Sequence, residues 1–238
     1  MVIKFKRYLF INLILMLVCV HGKSQQPTTT AYIKTNYSKL DSAGFRMPPF
    51  DLYERGMVGF LLLKNKPAVN NNKLTLIDFR RSSKKQRLWI IDIAEGKILE
   101  HSLVAHGKNT GEEYAKLFSN IQHSNKSSLG FYITAETYFG KHGLSMRIDG
   151  QESGFNTNAR QRAVVVHGAN YVSRDFITSY GRLGRSFGCP ALPMKKHKEI
   201  IKTIANGSVL FIYYPSLDYL NRTALFDLNQ SDYILQCM

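Results

Sequence analysis

The stretch that most restricts the fold runs from Arg162 to Pro193. It opens on Ala163-Val164-Val165-Val166, small and β-branched residues that suit a buried strand. His167-Gly168 then falls where that strand leaves its sheet. Further on, Gly184, Gly188 and Pro190 surround Cys189 and force a tight, irregular backbone. Such a bend lifts one side chain out of regular structure and turns backbone N–H groups toward a common point. A thiol beside an imidazole, with unpaired N–H groups close by, is what acyl transfer through a covalent intermediate requires. His167 and Cys189 stand 22 positions apart, a gap that a strand and a returning loop can close. The ordinary alternative is a satisfied strand-end histidine and a small buried cysteine. Spacing alone does not choose between the two, but the combination of strand-His-Gly with Ser-x-Gly-Cys favours the reactive one.

His167-Gly168 followed by Ser186-Phe187-Gly188-Cys189 resembles the signature of the L,D-transpeptidase catalytic domains (YkuD-like): His-Gly, a loop, then Ser/Thr-x-Gly-Cys. The longer run from Gly181 to Pro193, G-R-L-G-R-S-F-G-C-P-A-L-P, is similar to the murein branch of that family found in Gram-negative envelopes. The resemblance extends from about Leu88 to about Tyr214. It implies a mainly β (α+β) domain, a bent mixed sheet or sandwich with peripheral helices. It also implies Cys189 as nucleophile and His167 as base, with the N–H groups of Cys189 and Gly188 on the developing oxyanion and Ser186 either supporting the turn or orienting the His. The donor it implies is a peptidoglycan stem peptide, cut between an L-centred diamino acid and a terminal D-Ala. Arg182 and Arg185 flank the site as candidate carboxylate donors, and His142, Arg147 and Asn156 are candidates to line the cleft. Two departures bear on substrate grip and acceptor: Phe187 replaces the usual His, and Ala191 stands where many members carry Arg or Asn.

The first 24 residues read as a secretory signal peptide. Lys4, Lys6 and Arg7 precede an apolar run from Tyr8 to Val20, and Gly22 and Ser24 are small residues ahead of a cut before Gln25. That run is too short for a spanning helix of roughly 20 apolar residues, so no stable transmembrane anchor is expected. The protein is placed in the periplasm or cell envelope. Cleavage would remove Lys4, Lys6, Arg7 and Lys23 and no acid, lowering the formal net charge from +15 to +11. No nucleic-acid motif accompanies this charge, so an anionic cell-wall surface is the better partner. Cys189 and Cys237 remain; Cys189 reads as a free thiol and Cys237, next to the end, as incidental. No cofactor is expected, and no metal-ligand spacing occurs among the scattered His101, His106, His123, His142 and His197.

Along the chain, residues 25–37 read as a polar, flexible lead-in. Ser38 to Ala43 suits a short helix, and a second helix carries Phe50, Tyr53, Met57, Phe60 and Leu61 on one face. Gly56 and Gly59 within it imply close packing. Residues 38–72 therefore form a helical N-terminal layer on a catalytic domain spanning 73–216. From Lys73 the apolar period becomes 2, and Leu88–Ala94 and Lys97–Ala105 make a hairpin around Glu95-Gly96. Arg80 to Arg87 reads as a solvated basic turn, His106 as an exposed loop residue, and 111–128 as a surface excursion. A helix is expected from Pro193 to Gly207, then a strand from Ser208 to Tyr214, then a surface tail over 217–238.

Three functions fit these residues: a transferase passing the acyl group to a second stem, an L,D-carboxypeptidase using water, and a non-catalytic basic wall-binding domain. Sequence does not separate the first two, because the difference lies in how the acceptor groove excludes water.

Overall fold

A computed structural model describes residues 28–236. The proposed signal peptide and Cys237 lie outside them. The elements in order are α1 (Thr29–Lys39), α2 (Phe50–Lys64), β1 (Lys73–Asp78), β2 (Leu88–Asp92), β3 (Lys97–Ser102), β4 (Gly130–Gly140), β5 (Gly143–Gly150), β6 (Val165–Ala169), α3 (Arg174–Tyr180), β7 (Ala191–Pro193), α4 (His197–Ile204), β8 (Val209–Tyr213), α5 (Leu217–Arg222) and α6 (Leu228–Gln236).

The strands form one mixed sheet in the order β3-β2-β1-β8-β4-β5-β6-β7, with β1–β8 and β6–β7 parallel and the other pairs antiparallel. The sheet rolls round on itself. Just beyond β3, Ala105 bridges to Ala191 of β7, with its N–H 2.9 Å from the Ala191 carbonyl. The two ends of the sheet thereby satisfy each other's backbone groups, which an open edge would leave bare. This is the mainly β, bent mixed sheet with peripheral helices that the sequence implied.

Helix α2 packs where its glycines allow it. A Cβ on Gly56 would stand 2.4 Å from Leu76 Cδ2, and one on Gly59 would stand 2.1 Å from Phe131 Cζ. The Phe131 ring stacks on Phe211 at 4.1 Å, so the helix rests on an aromatic layer from β4 and β8.

Several local expectations fail, each for a packing reason. Residues 25–37 are not all lead-in: α1 begins at Thr29, with the Thr28 hydroxyl accepting from the Ala31 N–H, Ile33 buried, and Tyr37 against Phe50 and Tyr53. No helix spans 38–43; Ala43 and Gly44 take positive φ, and Asp41 bridges to Lys97 at the edge of the sheet. Residues 217–236 hold two helices rather than a loose tail. Tyr219 is buried and donates to Glu152 at 3.0 Å, and the Thr29 N–H donates to Asp232 at 2.6 Å, tying the first helix to the last. Pro193 ends β7, and α4 starts at His197. The strand before His167 begins at Val165, because Ala163 has φ 53° and still belongs to the preceding turn.

The basic turn is not solvated throughout. Arg87 is fully buried, its guanidinium donating to the carbonyls of Val104 and Arg81 and bonded to His106 Nδ1 at 2.8 Å. His106 is accordingly buried rather than exposed, and burial beside that cation pushes its pKa down to about 3.

Candidate active site

The parallel pair β6–β7 sets the frame. His167 on β6 has Ala191 of β7 as its Cα partner, so Cys189, two residues before Ala191, falls beside Val165. The Val165 N–H lies 3.4 Å from Cys189 Sγ, which confirms that register. Residues two apart on a strand share a face, so thiol and imidazole come to the same side. Both line one cavity of about 570 Å³, with Tyr138, Lys141, His142, Ser145, Arg162, Tyr171, Arg185 and Phe187 among its walls.

The loop between the two residues is anchored, not loose. Ser173 caps α3 by accepting from the Phe176 N–H, and Gly181 ends that helix at φ 69°. Val172 and Leu183 pack with Leu103, Ala105, Ala169 and Ala191 in a small second core. This cluster returns the chain to the sheet with Cys189 at its edge.

Ser186 builds the bend itself. Its hydroxyl donates to the Cys189 carbonyl at 2.6 Å and accepts from the Gly188 N–H at 3.1 Å. It therefore supports the turn and makes no hydrogen bond to His167. Gly188 has φ 126°, and a Cβ there would stand 2.8 Å from the Lys126 carbonyl oxygen. Its own carbonyl accepts from Ser127 Oγ at 3.0 Å, and Ser127 Oγ also accepts from the Gly107 N–H. Among the described residues the Cys189 N–H has no acceptor, while that of Gly188 is taken by Ser186.

His167 is buried, with Nδ1 2.9 Å from the Gly168 carbonyl. Nδ1–H must donate there, which leaves Nε2 as the basic nitrogen. The exposed His142 ring stacks on it at 4.4 Å. Burial lowers the His167 pKa, and the neighbouring His142 and His197 lower it further against the opposing pull of the Gly168 carbonyl. Burial raises the Cys189 thiol, opposed by the Val165 N–H and the Arg162 charge. Both net shifts favour a neutral thiol beside a neutral imidazole in the resting protein.

The sequence candidates divide. Cys189, His167, Ser186, His142 and Arg185 meet at the cavity. Arg185 is already engaged, with Glu112 and the carbonyls of Lys108 and Gly111. Arg182 lies outside the cavity lining and pairs with the same Glu112 at 2.9 Å. Arg147 pairs with Glu136 at 3.1 Å and covers the Tyr138 ring, so it buttresses the wall rather than lining it. Asn156 is buried and structural, donating to the carbonyls of Leu129 and Phe131.

Residues 46–213 match the family model described as the L,D-transpeptidase catalytic domain. The chain belongs to that family. Its L,D-transpeptidase region thus takes in α2 as well as the strands, so the N-terminal helical layer is continuous with the domain. No curated protein matches by sequence. Among solved structures, an L,D-transpeptidase from Mycobacterium smegmatis is 13% identical with a TM-score of 0.37, covering 60% of this chain and 59% of that one. One from Stackebrandtia nassauensis is 16% identical with a TM-score of 0.36, covering 77% of each chain. One from Xylanimonas cellulosilytica is 11% identical with a TM-score of 0.35, covering 79% of this chain and 96% of that one. The match thus spans about three fifths of the length of the first of these.

Sequence reading missed several cavity residues, Arg162, Tyr171 and Lys141 among them. Arg162 opens the motif stretch, and its guanidinium binds only neutral oxygens: the carbonyls of Ser119 and Lys126 and the hydroxyls of Ser124 and Ser128. Tyr171 follows His167 by four positions, and burial and the nearby thiol push its pKa up to about 12, so it stays a donor. Lys141 sits at the β4–β5 tip. None has a spacing signal; the place of Tyr171, just past the strand end, was the available clue.

Proposed function

We propose that the protein is an exported cysteine acyltransferase that acts on peptidoglycan stem peptides by L,D-transpeptidation. The observation that supports this most is the shared cavity, lined by a partly buried thiol just before β7 and a buried imidazole on the neighbouring β6. Family membership supplies the substrate class.

In this reading His167 Nε2 takes the thiol proton as Cys189 Sγ attacks the carbonyl of the L-centred diamino acid. Because neither group is charged at rest, proton transfer accompanies attack. The oxyanion accepts from the free Cys189 N–H and from the Tyr171 hydroxyl. Collapse breaks the C–N bond, and His167 gives its proton to the departing D-Ala amine. The thioester is then attacked by an amine of a second stem, whose proton passes through His167 to the sulfur as the C–S bond breaks. Arg162 supplies a fixed positive charge beside the sulfur throughout. Export follows from the basic, apolar, small-residue order of residues 1–24, and from a substrate that lies outside the cytoplasm. Among the described residues no helix is long and apolar enough to cross a membrane.

Purified protein incubated with tetrapeptide muropeptides should yield 3→3 dimers by mass spectrometry, and Cys189→Ala should yield none. Tripeptide monomers in place of dimers would convert the assignment to the carboxypeptidase. Absence of both, with no covalent carbapenem adduct on Cys189, would leave the non-catalytic wall-binding domain.

A further inference from the structure

The β4–β5 hairpin carries a side chain over the catalytic imidazole. Gly140 and Gly143 are Cα partners, so the turn between the two strands is only Lys141-His142. Gly143 takes φ 74°, a value glycine reaches without steric cost. Charged side chains brace the hairpin: Arg147 of β5 reaches Glu136 of β4 at 3.1 Å, and Arg160 joins Glu136 at 2.8 Å to Asp149 at 2.6 Å. On its other side β5 is registered to β6, with Ser145 opposite His167. The tip therefore stands beside the end of β6. There the His142 ring lies on the His167 ring, with centroids 4.4 Å apart and planes 24° from parallel.

The contact matters because His167 has few other restraints. Its Nδ1–H donates to the carbonyl of the next residue, Gly168, and Nε2 has to stay free for the thiol proton. One hydrogen bond to a neighbouring peptide group fixes one nitrogen and leaves the ring able to tip about that bond. A carboxylate often completes such an arrangement. Here the charges that bear on His167 are those of His142, His197 and Lys141, and all three oppose its protonation. His142 also lines two cavities, the catalytic one and a neighbour of about 350 Å³ whose wall includes Gly168, His197 and Lys198. Its ring is thus a partition that keeps the second cavity from opening onto the face of the catalytic imidazole.

Building on the acyl-transfer reading, we propose that His142 is a positioning residue for His167. Its ring holds the plane of the imidazole and excludes water from one face while the proton moves from Cys189 Sγ to His167 Nε2. A neutral His142 offers its π face to the imidazolium that forms. A protonated His142 sets a second cation against that ring and withholds the base. His142 is exposed and His167 buried, so His142 takes its proton first as pH falls. The other titratable and charged groups around the pair are Lys141 on the turn, His197 and Lys198 on α4, and Cys189, Tyr138, Tyr171, Arg162 and Arg185 on the catalytic wall. Among the described residues no carboxylate lines either cavity, so nothing there offsets a charge on His142.

An NMR titration of isotope-labelled histidine rings tests this without turnover. His142→Phe keeps a flat ring on His167 but carries no charge, and His142→Ala removes both ring and charge. The His167 titration should move to higher pH in the phenylalanine variant, because the charge that opposed its protonation is gone. It should move further in the alanine variant, where water also reaches the ring. An unchanged His167 titration in both variants would overturn the proposal. In turnover of tetrapeptide muropeptides at neutral pH, His142→Ala should lower kcat about tenfold with little change in KM. His142→Phe should recover most of that loss while moving the acid limb of the rate profile upward. Both variants should keep the Tm of the unmodified protein, since position 142 is exposed. Undiminished kcat in the alanine variant, or a loss that phenylalanine does not recover, would also overturn the proposal. If the unmodified protein turns over no muropeptide, the acyl-transfer reading falls, and the titration alone still decides whether His142 governs the imidazole.

Discussion

Replacing Ser186 by alanine tests how the bend holds the thiol. Ser186 is 6% exposed, and its hydroxyl makes two hydrogen bonds, 2.6 Å to the Cys189 carbonyl and 3.1 Å from the Gly188 N–H. Each such bond is worth about 1 kcal/mol net, and a buried backbone group left without a partner costs about 1–3 kcal/mol. Ser186→Ala should therefore destabilise the protein by about 2–4 kcal/mol, which for a domain of this size corresponds to a Tm lowered by roughly 8 °C. Ser186→Thr keeps the oxygen and should recover most of that loss. Urea unfolding gives the free-energy difference, and alkylation of Cys189 by iodoacetamide reports the geometry of the bend. The alanine variant should also change the alkylation rate, since both lost bonds lie within two peptide units of the sulfur. A change below about 0.5 kcal/mol, with an unaltered alkylation rate, would refute the idea that this hydroxyl staples the turn.

Tyr171→Phe should lower kcat by about a hundredfold with little change in KM, the pattern for a donor that acts on developing charge; equal kcat for the two proteins would remove Tyr171 from the oxyanion site. The pH–rate profile should hold a broad plateau, because the base limb depends on His167, held below 6.5, and the thiol limb on Cys189, held above 9; an acid limb above pH 6.5 would contradict the burial argument. His106 and His101 are buried neutral, with pKa values pushed down to about 3 and about 4. Their stabilising contribution is complete above the unfolded value near 6.5 and is lost as pH falls toward those lowered values. Thermal scans should thus show Tm falling between pH 6.5 and 4, with a shallower fall in His106→Gln.

The strands and the motif were legible because they follow strong local rules. Alternation from Lys73, the Glu95-Gly96 turn and the β-branched run before His167 each gave the element at that place. The glycines in α2 announced tight packing, and Leu76 and Phe131 fill the space a side chain would take. What stayed hidden depended on contacts distant in sequence. α1 has a polar surface and is held by Ile33 and by the link from Thr29 to Asp232, 203 residues away. α5 is held by Tyr219 against Glu152, 67 residues earlier. Arg87 looked like one more surface arginine until two backbone carbonyls and a histidine surrounded it. At the site, the motif pointed to Cys189 and His167 together, and both line one cavity. Arg182 falls outside the cavity and Arg185 reaches it already paired, because Glu112, from the surface excursion, binds both, and no local pattern announces that.

The parallel register of β6 and β7 sets where this protein can tolerate change in length. Between Ala169 and Gly184 the chain leaves the sheet and returns, so residues added around the exposed Tyr180 would enlarge a protrusion and leave the thiol where it is. Between Cys189 and Ala191 there is no such slack. One added residue there would turn the sulfur to the opposite side of the strand, away from the imidazole, although every atom of both side chains would still be present.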